Sequence, residues 1–238
     1  MRKSGTFYQI VVLAIMIGGL VGCVKSGSSS GSTGTVVTFV SLMNLSSSST
    51  DIYLNGTKAS QTAAAPGFFD QRYEQLTPGA YDIQFKAAGS DSVQAEISSS
   101  LYDSLAFNTV ILYNPAGSST IKAVKIQDNF STLSVSAANY RFFNMSPDVP
   151  SVDLYFSGTA MQTSRTTADN VANPSFSTFQ SLTPQTYNLQ VKKAGTDSVV
   201  ASLSGVSFAT GTASTIFLKG QAANTTNPIS LNVLVATY

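Results

Sequence analysis

The sequence predicts an all-β chain in which two related antiparallel β-sandwiches follow one another. Three observations carry that prediction. A long internal repeat divides the chain, apolar residues alternate with polar ones inside it, and each copy holds seven short runs of strand character separated by turn residues. A length of 238 residues leaves room for two cores of ordinary size.

The repeat is clearest between Leu76 and Val93, LTPGAYDIQFKAAGSDSV, and Leu182 and Val199, LTPQTYNLQVKKAGTDSV. These lie 106 positions apart with 11 identities in 18. Chance would give about one, so the chain reads as a duplication. The likeness extends to Asp51-Ile-Tyr and Asp153-Leu-Tyr, each followed by a Gly-Thr pair at Gly56 and Gly158, and to Asn108-Thr-Val-Ile-Leu and Ser214-Thr-Ile-Phe-Leu.

Within the repeat, Tyr81, Ile83 and Phe85 alternate with Asp82, Gln84 and Lys86. The second copy sets Tyr187, Leu189 and Val191 against Asn188, Gln190 and Lys192. A period of two marks half-buried strands. Val93, Ala95 and Ile97, and likewise Val199, Ala201 and Leu203, are expected to point inward on the next strand. The Ala-Gly-Ser-Asp and Ala-Gly-Thr-Asp segments between them supply the residues of a tight hairpin.

In the first copy the strands are expected near 36–43, 51–55, 68–75, 80–86, 92–97, 109–113 and 121–127, with Asn55-Gly56 as a turn signal after the second. The second copy follows the same order from Tyr140 to Tyr238. Seven such strands per copy suit an immunoglobulin-like sandwich, because amphipathic strands bury their apolar faces between two sheets. The expected domains are 36–129 and 138–238, each with a core of its own, divided by the polar run NFSTLSVSAA at 129–138.

The N-terminus carries a different signal. Arg2 and Lys3 precede the apolar run Ile10 to Leu20, and small residues then lead to Cys23, the pattern of a cleaved signal peptide over 1–22. The run is too short for a membrane span, which needs about 20 apolar residues. Leu20-Val21-Gly22-Cys23 resembles the lipobox of bacterial lipoproteins, which implies cleavage before Cys23 and acylation of its thiol and amino group. Several acyl chains at about 0.8 kcal/mol per buried methylene would hold the chain on a lipid bilayer, the first expected partner. Residues 23–35, with Ser26 to Thr35 reading SGSSSGSTGT, are expected to act as a flexible tether.

Composition narrows the chemistry. Losing Arg2 and Lys3 leaves eleven basic groups against twelve acidic ones, a formal charge of −1, and no basic cluster suggests nucleic acid as a partner. The sequence has no histidine, and its one cysteine is assigned to lipid. The usual general base, the serine triad and thiolate metal sites therefore have no residues to build them, and no cofactor, metal or catalytic residue is expected. A pair of carboxylates flanking a glycosidic bond is the one enzymatic alternative.

Asp51 and Asp153 open matching strands and are read as turn caps rather than ligands. Tyr81 and Tyr187 follow Leu-Thr-Pro, where a tyrosine packs its ring and bonds its hydroxyl to upstream backbone. Phe68, Phe69, Tyr73, Phe176 and Phe179 are divided between filling the sandwich and lining a sugar-binding surface. The copies differ most in the connections around the second strand. A candidate binding loop is placed at Met145 to Ser151, with Met145, Asp148 and Val149 as contacts and Pro147 and Pro150 stiffening it.

Arg141-Phe-Phe-Asn-Met-Ser-Pro-Asp-Val-Pro-Ser-Val-Asp-Leu-Tyr resembles the opening signature of the domain of unknown function 4397 family. There a hydrophobic strand leads into a Ser-Pro-Asp-x-Pro loop and then a Val-Asp-hydrophobic-Tyr strand. Many members carry histidine where this chain has Asn144, and the first copy keeps only Asn44, Ser46, Asp51, Ile52 and Tyr53 of the pattern. The resemblance implies a Bacteroidetes-like owner and an envelope location. The expectation is an outer-membrane lipoprotein, periplasm-facing because Val24-Lys25-Ser26 lacks an acidic export cluster. It would act as a non-enzymatic binding or structural module on an envelope protein or polysaccharide, the alternatives being a polysaccharide-binding adhesin or a carboxylate glycoside hydrolase.

Overall fold

The computed structural model describes residues 36–167, 169 and 174–237, so Cys23 and its tether lie outside the described residues. The first copy forms β1 (Thr38–Asn44), β2 (Thr50–Leu54), β3 (Thr57–Lys58), β4 (Phe68–Phe69), β5 (Glu74–Leu76), β6 (Gly79–Ala87), β7 (Val93–Tyr102), β8 (Phe107–Tyr113) and β9 (Lys122–Asp128). The second forms β10 (Ala138–Asn144), β11 (Val152–Phe156), β12 (Thr159–Arg165), β13 (Gln180–Leu182), β14 (Gln185–Lys193), β15 (Val199–Phe208), β16 (Thr212–Lys219) and β17 (Ser230–Thr237), with one 3-10 turn at Pro174–Ser177.

The chain is all-β, as the alternation predicts, and each copy is built from two sheets. In the first copy β3-β2-β6-β7 forms an outer sheet and β4-β1-β8-β9 an inner one, with β5 also paired to β1. The second copy repeats this as β12-β11-β14-β15 and β13-β10-β16-β17.

The sheets depart from a wholly antiparallel sandwich at one place in each copy. β1 runs parallel to β8 from Phe39 opposite Phe107 to Asn44 opposite Leu112, and β10 runs parallel to β16 in the same way. A parallel pair needs a long crossover, which the strands of the outer sheet provide on the path from β1 to β8.

A second departure concerns the strand after the hairpin. Val93 and Val199 are exposed, not inward. Phe85 pairs with Ala95 while Lys86 pairs with Val93, and Val191 and Lys192 repeat this with Ala201 and Val199, so a bulge places each valine opposite an outward lysine.

Each copy encloses a core between its own sheets. Ile83, Phe85 and Tyr102 meet Val110 and Leu112 in the first, and Leu154, Phe156 and Leu189 meet Phe142 and Ile216 in the second. A third core lies between the copies, where Met43, Leu45, Ile111 and Ile126 pack against Phe143, Met145, Phe217 and Leu234. The layers thus run outer, inner, inner, outer. Both inner sheets are covered on two faces, and every residue of β10 is buried.

The partners in this third core occupy equivalent positions. Met43 corresponds to Phe143, Leu45 to Met145, Ile111 to Phe217 and Ile126 to Leu234, so the two copies present the same patch to each other, as in an isologous dimer. The connecting run is not a polar spacer throughout. Phe130 is buried in a cluster that joins Phe107, near the start of β8, to Ala213, near the start of β16.

Candidate functional site

The candidate loop at 145–151 is held from within by Asn144, whose Nδ2 donates to the carbonyl oxygens of Val149 at 2.8 Å and Arg165 at 3.2 Å. Its Oδ1 accepts from the Ser146 amide, and the Ser146 hydroxyl donates to Gly220 O at 2.8 Å. Asn44 does the same work in the first copy, donating to Ser48 O and Ala64 O and accepting from Ser46. Both asparagines are fully buried, and an amide that neither gains nor loses a proton near neutral pH serves here as a plug for backbone groups.

This places the three candidate contacts differently from one another. Met145 is fully buried in the core between the copies and Val149 is buried in the second sandwich, so neither offers a side chain to a partner. Two apolar side chains next to a Ser-Pro turn are better satisfied by adjoining cores than by water, and the loop packs accordingly. Asp148 is exposed as expected, and its carboxylate accepts from the Ala222 amide at 2.8 Å. Pro147 is buried and its carbonyl accepts from Gly117 of the other copy, while Pro150 is exposed.

Asp51 and Asp153 are buried braces of the neighbouring hairpin. Asp51 Oδ2 accepts from the Gly89 amide at 2.9 Å and pairs with Lys58 Nζ at 2.9 Å. Asp153 accepts from Gly195 at 2.9 Å and from Ser164 at 2.7 Å. The Gly89 amide and then Lys58 hold the Asp51 carboxyl below its ordinary range. The tyrosines behave as the sequence suggests: Tyr81 Oη donates to Thr77 O at 2.8 Å and Tyr187 Oη to Thr183 O at 3.1 Å.

The aromatic candidates are mostly used inside. Phe69 packs edge-on against Phe217, Tyr73 and Phe179 line the Phe130 cluster, and Phe176 lies under the Arg165 guanidinium.

A polar cluster that sequence reasoning passed over sits between the inner sheets. Arg141 and Asp128 are both without solvent exposure at the side chain and meet at 2.5 Å. Arg141 also donates from Nε to Thr215 Oγ1 at 2.9 Å, from Nη2 to Thr109 Oγ1 at 3.1 Å and from Nη1 to Ser177 O at 3.2 Å. Its guanidinium carbon lies over the rings of Phe143 and Phe179, 4.9 and 4.4 Å from their centroids. Asp128 Oδ2 accepts from Tyr73 Oη at 2.7 Å and Thr109 Oγ1 at 2.6 Å, so both charges are compensated by hydrogen bonds as burial requires.

The duplication is broken at this point. Register places Ser41 where the second copy has Arg141 and Ala236 where the first has Asp128. Ser41 Oγ is buried without a hydrogen-bond partner. A lone arginine inside an apolar run, opposite threonine and matched by an aspartate closing β9, is the signal that could have pointed to the pair.

Beside this cluster a cleft of about 440 Å³ is lined by Val124, Ile126, Leu133 and Phe179, with Lys125 and Gln127 at its wall. The Lys125 amine donates to Ser100 Oγ and Leu101 O, and burial lowers its pKa. Among the described residues no three Asp, Glu or Cys side chains gather as metal ligands, and no helix is long and apolar enough to cross a membrane.

Comparison with known families agrees with the duplication. The family described as Domain of unknown function (DUF4397) matches residues 38–155 and again 138–235. No curated protein matches the chain.

Proposed function

The chain belongs to the domain of unknown function 4397 family in both of its copies, and from that premise we propose that it is a lipid-anchored envelope protein acting as a non-enzymatic binding or structural module. Its anchor is the acylated Cys23, and its place is the outer membrane with the folded part facing the periplasm. The observation that carries this reading is the apolar run from Ile10 to Leu20 leading into Leu20-Val21-Gly22-Cys23, with SGSSSGSTGT beginning three positions after the cysteine. The use of the carboxylates supports the non-enzymatic part. Asp51 and Asp153 brace hairpins and Asp128 neutralises a buried arginine, which gives the three most buried aspartates among the described residues a structural use, and the half-buried Asp70 accepts from the Leu42 amide.

Cys23→Ala tests it. The variant is expected to lose metabolic fatty-acid labelling and to move from the membrane to the soluble fraction. Protease added to intact cells should leave the wild type whole. Labelling that survives the substitution overturns the anchor.

A further inference from the structure

Seven large apolar side chains are exposed among the described residues, and five of them lie towards one end of the sheets: Val36, Leu101, Leu105, Val135 and Val235. It is the end at which the chain arrives from Cys23, since β1 and β8 both start there. Leu105 is 71% exposed and has a φ of 59°, a left-handed conformation that bulky residues rarely adopt. Its amide donates to Val37 O at 2.7 Å, which fixes it beside Val36, itself 56% exposed. The second copy has Gly211 at the equivalent turn with a φ of 66°, the residue that this backbone favours. The fold therefore holds a strained leucine in water where its own duplicate uses glycine, and a strained outlier of this kind points to a partner outside the chain.

We propose that this end of the first copy is seated in the interfacial layer of the bilayer, with Leu105 and Val36 as the inserted side chains. The proposal rests on the reading of Cys23 as the lipidated residue. Val36 lies thirteen positions after Cys23, a covalent reach of at most about 45 Å, so the anchor keeps this end at high local concentration against the lipid. Insertion of two side chains, too weak to recruit a free protein, then suffices to orient a tethered one. The exposed acidic Asp103 stands two residues before Leu105, and the Lys125 amine is engaged with Leu101 O. The contact is thus apolar, to neutral headgroups and the acyl boundary, and not a basic patch on anionic lipid.

The chain has no tryptophan, so a single one reports alone. Leu105→Trp and Val199→Trp, the latter at the opposite end, are prepared in the full lipidated protein and reconstituted into phosphatidylcholine vesicles with brominated acyl chains. Leu105→Trp emission is expected to shift to the blue and to be quenched, unchanged by added salt, while Val199→Trp emission stays that of an exposed side chain. As a second variant, Leu105→Gly should melt at or above the wild-type temperature, yet reduce quenching of a reporter at Val36→Trp. Unquenched Leu105→Trp in protein that carries fatty acid and floats with the vesicles overturns the inference and leaves the anchor standing. Protein that neither labels nor floats overturns both.

Discussion

The inner and outer sheets of each copy are made from the same kinds of residue arranged in different rhythms. β6 and β14 alternate, with Ile83 and Phe85 or Leu189 and Val191 inward and their neighbours towards water. β8, β10 and β16 do not alternate, because both faces are covered, one by the copy's own outer sheet and one by the other copy. The period of a strand thus reports how many of its faces are dry, and here it separates a self-contained sandwich from a pair fused through a shared core. The fusion carries a buried ion pair, Arg141 of one copy with Asp128 of the other.

The largest expected effect tests that fusion. Arg141→Ala leaves Asp128 buried without its cation and should cost about 3–5 kcal/mol, read as a lower urea midpoint for a single transition of the whole chain. Arg141→Met combined with Asp128→Leu should recover most of the loss, since replacing both charges by apolar groups removes the desolvation problem. A midpoint unmoved by Arg141→Ala would mean that water reaches the inner face, and the comparison would fail.

The loop offers a finer cut. Met145→Ser and Val149→Ser, which empty the shared core and the second core respectively, should each cost about 2–4 kcal/mol, whereas Asp148→Ser should stay within about 0.5 kcal/mol. Thermal melts of the three single variants check this. If Asp148→Ser proves as costly as the other two, its bond to Ala222 matters more than its exposure suggests.

The smallest effect contrasts two carboxylates. Burial pushes Asp70, which pairs with Leu42 of an inner sheet, up to about 6, while hydrogen bonding holds Asp51 of an outer sheet below its ordinary value. A raised carboxyl contributes its full stability below about 3.8 and loses it as pH rises through about 6; a lowered one contributes above its ordinary value and loses it as pH falls. Asp70→Asn should therefore stabilise the chain by about 1–2 kcal/mol at pH 7 and hardly at all at pH 3. Denaturant titrations at the two pH values decide it, and an equal effect at both would remove burial as the cause.

How much of this was legible follows from the same contrast. Most strand positions and the tyrosine contacts were readable because each is set within one copy, by alternation and by short turns such as Leu-Thr-Pro. The run 68–75, however, forms two short strands, Phe68–Phe69 and Glu74–Leu76, and the described residues hold nine and eight strands in the two copies where seven were expected in each. The bulge that turns Val93 and Val199 outward was not, since nothing in Asp-Ser-Val marks a skipped partner. The loop was misjudged at Met145 and Val149 because their cover comes from Leu234 and Phe217 and from the second core, far away in the chain. The unbroken runs Val-Ile-Leu-Tyr, Thr-Ile-Phe-Leu and Tyr-Arg-Phe-Phe carry the mark of a second buried face, which the reading of two separate sandwiches passed over. That the cover is the other copy came from the structure.

The way the copies adjoin has a consequence for how far the protein extends. Gly67 lies so close to the Asn227 side chain that a Cβ would collide with it, and Gly117 bonds to Pro147, so the same ends of both copies sit level. Sheets stack about 10 Å apart and ten-residue strands span about 33 Å, which makes a body roughly as broad as it is tall. Duplication has widened the footprint without adding height. A chain of this shape would bridge no larger gap above a membrane than one copy does, but would hold two equivalent rims of loops at one altitude, spaced for a partner whose own features recur in the plane.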